Sequence, residues 1–221
     1  MLTAVHVSDP RQHYLDAAAA AIELVRSDAV ASAWDLPSAL DEYDVGALAA
    51  HVGRAVLTLE IYLAEPEPDP ASLPAAGVLD AAGYYAAVLG DADPVDSDLH
   101  RGVRQRSAAA AAAGHATLVA DLERSLDAQR ALDLHPDRLI AVLDGVVVRI
   151  RDYYVTRLVE LLVHTDDLAS SVGVRAPVAP SGAWELLAPV VQQIALARHG
   201  ARGVVLGLAR PERHGPLGAF G

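Results

Sequence analysis

A glutamate and a histidine four residues apart, Glu160 and His164, are the residues of this sequence best placed to do chemistry. They lie in a segment with the pattern of a helix, where residues i and i+4 share one face. Leu161 and Leu168 continue an apolar stripe on that face. A carboxylate and an imidazole directed into a helical core must be paired with each other or must hold a cation. The spacing therefore predicts either a buried ion pair or two ligands of a divalent metal.

A third metal ligand has to come from another helix. His51 lies two turns into a helix that we expect to start after Asp44, on the same stripe as Leu48 and Leu59, so it should face the core. His115, in the middle of an alanine-rich segment, is the second candidate. Three protein ligands leave a coordination position open, as catalytic sites require. The other histidines fall at termini or helix ends and are predicted to be exposed: His6, His13, His100, His135, His199 and His214.

Two charged neighbours of the pair are candidates for catalytic or supporting roles. Arg157 lies one turn before Glu160 and could bind a substrate carboxylate, or it could pair with Glu160. Asp167 could orient a ligand histidine or a bound water. Asp166 is better explained as part of a solvated helix end.

Composition excludes several classes of function. The chain has 221 residues, a net charge of -12, no cysteine, and arginine as all 17 of its basic residues. A Schiff-base lysine, a cysteine nucleophile and a disulfide are therefore impossible. No basic cluster or signal peptide is present, so we expect a cytoplasmic protein with small-molecule partners, without nucleic acid or membrane, as a monomer or homodimer. The abundance of alanine, arginine, glycine and valine indicates a coding sequence of high GC content.

The elements that must position these residues are predicted to be helices, so the fold class is all-α. Four long helices form a bundle over residues 1–175, and residues 176–221 add a C-terminal helix and a short tail packed on the bundle. Leu139–Ile150 contains a run of valines, yet a helical lead-in is favoured because no second strand is predicted nearby. The expected helices are Pro10 to before Trp34, Val45–Ala64, Leu79–Leu89, Leu99–Leu132 with Gly114 as its weakest point, Tyr153–Val172 and Trp184–His199, followed by a tail over Gly203–Arg210 that folds back.

Two segments resemble a known family. Trp34–Ser38 followed by Tyr43–His51 looks like the N-terminal signature of mycothiol-dependent maleylpyruvate isomerase-like proteins, with tyrosine at 43 where the signature has tryptophan. Thr156–Ala169 is similar to the family's Arg-x-x-Glu-x-x-x-His-x-x-Asp-Leu segment. The resemblance spans about residues 8–210 and implies a DinB-like four-helix bundle.

The same resemblance implies a divalent metal, typically zinc, held by His51, Glu160 and His164. It also implies mycothiol, a thiol of high-GC actinobacteria, as cosubstrate. The characterised isomerases carry a sizeable C-terminal domain, whereas only a helix and a tail are expected here after residue 175. Maleylpyruvate is therefore not the expected substrate.

Three functions fit these observations. The first is a metalloenzyme that uses a low-molecular-weight thiol to conjugate or isomerise a small electrophile, as an S-transferase or a cis–trans isomerase. The second is a metal hydrolase that uses bound water, with Asp167 or another carboxylate as base. The third is a non-catalytic metal- or ligand-binding bundle.

Overall fold

Helices dominate the computed structural model, which describes residues 9–89, 97–214 and 217–219. The expected exposure of His6 and the expected lack of a signal peptide concern residues outside these ranges. The helices are α1 (Pro10–Arg26), α2 (Asp28–Ser32), α3 (Val45–Ala64), α4 (Ala81–Leu89), α5 (Asp98–Ala111), α6 (His115–Ala131), α7 (Ile150–Ser171), α8 (Ala183–Ala209) and α9 (Pro211–His214). The strands are β1 (Val78–Leu79), β2 (Leu139–Val142) and β3 (Val146–Arg149).

Four helices, α1, α3, α6 and α7, form a bundle in which α1 and α3 each pack against both α6 and α7. Leucine, valine and alanine fill its core, together with the fully buried rings of Tyr14 and Tyr153. Small residues allow the helices to approach closely, and the two rings fill the remaining space. The predicted all-α, DinB-like bundle is therefore confirmed, and α3 and α7 are neighbours within it.

The start of α3 is fixed by local contacts. Asp44 caps the helix, because its Oδ1 accepts a hydrogen bond of 2.6 Å from the backbone N–H of Ala47. Gly46 lies directly against the Trp34 indole, where a Cβ atom would come within 2.7 Å of the ring, so only glycine fits. These contacts fix the phase of α3, and with it the direction in which His51 points two turns later.

By length and composition, α3 is apolar enough to cross a membrane. Most of its apolar window is buried within the protein, where α3 packs against α5, α6 and α7. Core packing therefore accounts for its composition.

The predicted helical lead-in over Leu139–Ile150 is wrong. Its residues form an antiparallel hairpin of β2 and β3, and β3 also pairs in parallel with β1, giving the order β1-β3-β2. The valine run followed its β propensity because β1 supplies a partner edge. That partner, Val78–Leu79, is only two residues long and distant in sequence, and no sequence pattern indicated it.

Several helix predictions also need correction. The expected helix from Pro10 to before Trp34 is interrupted at Ser27, which separates α1 from α2, and Leu79 belongs to β1 rather than to the helix that follows it. The expected single helix Leu99–Leu132 is two helices, α5 and α6, because Gly114 adopts a φ of 91° that interrupts the helix and that other residues disfavour. The predicted tail over 203–210 is helical: α8 bends at Gly200 and continues to Ala209. Leu217 then packs against Gly207, and α8 contacts α4 and α7. The division at residue 175 remains a prediction.

Candidate metal centre

Three side chains from two helices meet beside the bundle core. His51 comes from α3, and Glu160 and His164 come from adjacent turns of α7. Glu160 Oε2 lies 3.9 Å from His51 Nε2 and 3.5 Å from His164 Nε2. The two imidazole ring centroids are 4.5 Å apart, and one potential ligand atom from each residue falls within 4.8 Å of the other two. The structure thus brings together the three residues that the sequence singled out.

This arrangement fits a divalent cation. Bonds of about 2.0–2.2 Å in a tetrahedral site place neighbouring ligand atoms about 3.4 Å apart, close to the 3.5 Å and 3.9 Å that separate Glu160 Oε2 from the two histidine Nε2 atoms. The His51 imidazole makes no hydrogen bond to any described residue, and its Nε2 faces Glu160 Oε2 across 3.9 Å, beyond hydrogen-bond distance. A cation between these two atoms would supply each of them with a partner. The three residues could therefore hold a metal ion.

His115, the second candidate for the third ligand, lies elsewhere. Its Nε2 is 2.7 Å from the carbonyl oxygen of Val25, and its ring meets the Trp34 indole edge to face at 5.3 Å. Both contacts hold α6 against the start of the chain. The role of His115 is therefore structural.

Two further side chains orient the cluster. His164 Nδ1 lies 2.9 Å from Asp167 Oδ2, so Nδ1–H donates to the carboxylate and Nε2 faces Glu160. The Tyr85 hydroxyl lies 2.9 Å from Glu160 Oε1 and 3.0 Å from the carbonyl oxygen of Thr156, and it donates to one of them at a time. Burial and the nearby Glu160 charge raise the pKa of Tyr85 well above its usual value, so the hydroxyl keeps its proton.

The ionisation of the three residues is unequal. Burial and the neighbouring His164 lower the pKa of His51 to about 4, so its imidazole is neutral at neutral pH. Burial opposes the charge of Glu160, but hydrogen bonding with His164 and the Arg157 charge hold its pKa far below the usual range. Burial also opposes protonation of His164, yet Asp167 and Glu160 raise its pKa to about 9. His164 must therefore lose a proton before it can bind a metal.

Arg157 is buried between aromatic rings. Its guanidinium carbon lies 4.7 Å from the centroid of Tyr153 and 5.8 Å from that of Tyr84. Its Nε donates to Thr156 Oγ1 at 3.2 Å. Within the described part of the chain, no ion pair of 4 Å or less joins Arg157 to Glu160, so the direct pairing that was one of two alternatives for Arg157 is not formed. Arg157 instead acts on Glu160 at longer range, and its contact with a substrate remains a prediction.

A pocket of ≈ 430 Å³ opens beside the cluster. His51, Glu160, His164 and Arg157 all contribute to its wall. His100, which was predicted to be exposed, is half-buried in the same wall and has its Nδ1 2.6 Å from Ser97 Oγ. The rest of the wall is mostly apolar, with two more arginines and one more glutamate: Leu40, Tyr43, Val88, Leu89, Leu99, Val103, Leu143, Arg54, Arg104 and Glu42 are among its residues.

Sequence reasoning missed Tyr85, His100 and Arg54. Tyr85 belongs to α4, which packs against α7, and no spacing links it to Glu160. Arg54 follows His51 by one turn, and that spacing was a usable signal. Tyr43, which stands where the signature has a tryptophan, stacks on His51 with ring centroids 5.4 Å apart.

A comparison with known protein families found a match. The family model described as the mycothiol maleylpyruvate isomerase N-terminal domain matches residues 15–169, more than two thirds of the chain. Searches of curated proteins and of solved structures found no match. The matched range contains α3, α7 and all three residues of the cluster. That family is associated with mycothiol and with metal binding. This chain belongs to the mycothiol maleylpyruvate isomerase N-terminal domain family.

Proposed function

We propose that the protein is a divalent-metal enzyme that uses a low-molecular-weight thiol of the mycothiol class to conjugate or isomerise a small electrophile. The observation that carries this proposal is a three-residue ligand cluster that opens onto a pocket. No fourth histidine or carboxylate joins the group among the described residues, so a coordination position is left for an exogenous ligand.

His51, Glu160 and His164 would hold the metal. Two imidazole nitrogens and one carboxylate oxygen match the preferences of zinc, which is our proposed ion. When bound, such a metal supplies a site at which a thiol loses its proton near neutral pH. Asp167 fixes His164 so that Nε2 faces the cluster, and Tyr85 restrains Glu160 Oε1.

Sulfur for this chemistry must come from outside the chain, since the sequence has no cysteine. In conjugation, a bond forms between the thiol sulfur and an electrophilic carbon, and the thiol proton ends on the adduct or leaves with the displaced group. In isomerisation, the same carbon–sulfur bond forms and then breaks after rotation, so the thiol is regenerated. The pocket wall would orient the electrophile beside the cluster.

The hydrolytic alternative is less well supported. Its general base was expected to be Asp167 or another carboxylate, but Asp167 Oδ2 is engaged with His164 Nδ1 at 2.9 Å. An aspartate held in that way is placed to orient the histidine, and this contact supports an orienting role over that of a general base.

The wider setting that we propose is the cytoplasm of an actinobacterium, with small molecules as partners. A net charge of -12 supports the absence of a nucleic acid partner. The lysine-free, alanine-rich composition supports an actinobacterial source, because it indicates a coding sequence of high GC content.

The test is conjugation of monochlorobimane by the zinc-loaded protein, with and without added thiol. We expect turnover above the uncatalysed rate only when both zinc and thiol are present. Glu160→Gln should abolish that turnover. Glu60→Gln, which changes an exposed glutamate on the same helix as His51, should retain it. Turnover without thiol, or equal turnover in both variants, contradicts the proposal.

A further inference from the structure

Arg54 places a positive charge in the pocket wall, and none of the described carboxylates forms an ion pair with it. It lies one turn after His51 on α3 and is partly buried. No salt bridge or side-chain hydrogen bond joins its guanidinium to any residue in the described ranges. The charged residues that act on it most strongly are Arg106 and Arg157, both positive, and together with burial they lower its pKa. The surroundings of Arg54 thus favour an incoming negative charge.

Arg157 lies in the wall of the same pocket but has different surroundings. Arg157 is more deeply buried, but the faces of Tyr153 and Tyr84 and the hydroxyl of Thr156 stabilise its charge. Among the described residues, Arg54 has no cation–π contact and no side-chain hydrogen bond. A partly desolvated cation beside like charges is unfavourable unless a ligand compensates it. A ligand in the cavity could supply that compensation.

The rest of the wall is mostly apolar. Val88 and Leu89 come from α4, Leu99 and Val103 come from α5, and Leu143 comes from the hairpin turn, while Glu42, His100 and Arg104 add polar groups. The apolar part of this wall favours hydrocarbon. A ligand that satisfied both parts of the wall would have an apolar body and one anionic end.

We propose that the pocket selects an electrophile with an apolar body and a single anionic head group, and that the head group pairs with Arg54. That the ligand is an electrophile rests on the proposed function, whereas its preferred charge and apolar body rest only on Arg54 and the apolar wall. Carboxylates and sulfonates share the required charge, and a guanidinium can donate two parallel hydrogen bonds to either.

Calorimetric binding of 3-phenylpropanoate and of its neutral analogue 3-phenylpropanamide tests the preference. The two probes share an apolar body and differ in the charge of the head group. We expect the acid to bind at least about tenfold more tightly than the amide, as one charge-assisted contact predicts. Arg54→Met should remove most of that ratio, and Arg54→Lys should keep it within a few fold. Arg124→Met, at an exposed arginine of α6 paired with Glu60, is the matched control and should bind as the wild type does.

Each titration is made with zinc-loaded and with metal-free protein, because a carboxylate can also bind a metal directly. A preference for the acid that survives removal of zinc and is lost in Arg54→Met supports the proposal. A preference seen only with zinc, one unchanged in Arg54→Met, or no binding of either probe overturns it. No thiol and no turnover enter this experiment, so its result is independent of the thiol-dependent activity.

Discussion

Replacing Asp167 with alanine removes the residue that orients His164, and we expect metal affinity to fall about tenfold or more. The contact is a hydrogen bond of 2.9 Å from His164 Nδ1 to a carboxylate, with the Asp167 side chain 29% exposed. Bonds to charged groups contribute about 1.5–3 kcal/mol, and this exposure favours the lower end, where water replaces part of the loss. About 1.4 kcal/mol corresponds to a factor of ten in Kd, at the lower bound of the usual effect for such partners.

A second effect of the same variant has the opposite sign. Asp167 helps to raise the pKa of His164 to about 9, so at neutral pH the metal competes with a proton. Without Asp167 that competition weakens, and the apparent loss of affinity at neutral pH is smaller than the intrinsic loss. The Kd for zinc should therefore be measured against a competing chelator as a function of pH and compared at its high-pH limit.

Asp166 provides the matched control for this experiment. It is the neighbouring residue, carries the same charge and is exposed. Asp166→Ala should leave the limiting Kd within about twofold, since it removes only a distant surface charge. Equal Kd values for the two variants, or an unchanged Kd in Asp167→Ala, refute the assigned role of Asp167.

Three further outcomes follow from the structure. Metal content should fall from about one ion per chain towards zero in each of the variants His51→Ala, Glu160→Ala and His164→Ala, while circular dichroism stays helical. Full metal occupancy by elemental analysis in any one of them removes that residue from the site. Zinc binding to metal-free protein should release about one proton at neutral pH and none well above pH 9. The reason is that Asp167 and Glu160 outweigh burial and raise the pKa of His164 to about 9. Calorimetry in buffers of different ionisation enthalpy measures the number of protons released. Gln129→Ala should lower the free energy of urea unfolding by about 2–3 kcal/mol, because the buried hydroxyl of Tyr14, 2.6 Å from Gln129 Oε1, loses its acceptor. A loss as small as that of an exposed glutamine variant contradicts this expectation.

Local signals made much of the bundle predictable. Asp44 capped α3 where the sequence indicated, and the apolar stripe of that helix placed His51 towards α7. The i, i+4 spacing of Glu160 and His164 fixed their common face regardless of the rest of the chain. Periodicity and capping depend on neighbouring residues, so they can be read from the sequence alone.

Features that depend on distant residues were predicted wrongly or not at all. The hairpin over Leu139–Arg149 needs a parallel partner at Val78–Leu79, too short to carry a pattern of its own. Tyr85 reaches Glu160 only because α4 packs on α7. Gly114 was predicted to be the weakest point of a single helix. The helix is in fact broken there, and the φ of 91° at Gly114 follows from the turn between two packed helices. Tertiary context decided each of these features.

We propose that His51, Glu160 and His164 leave a bound metal with a position at which an external thiol can bind. Cobalt substitution tests it directly, because a thiolate bound to cobalt gives a sulfur-to-metal charge-transfer band. Addition of mycothiol to the cobalt protein should produce that band, and the same addition to Glu160→Ala treated with cobalt should not. A cobalt spectrum of the wild-type protein that mycothiol and other cellular thiols leave unchanged contradicts thiol activation at this site.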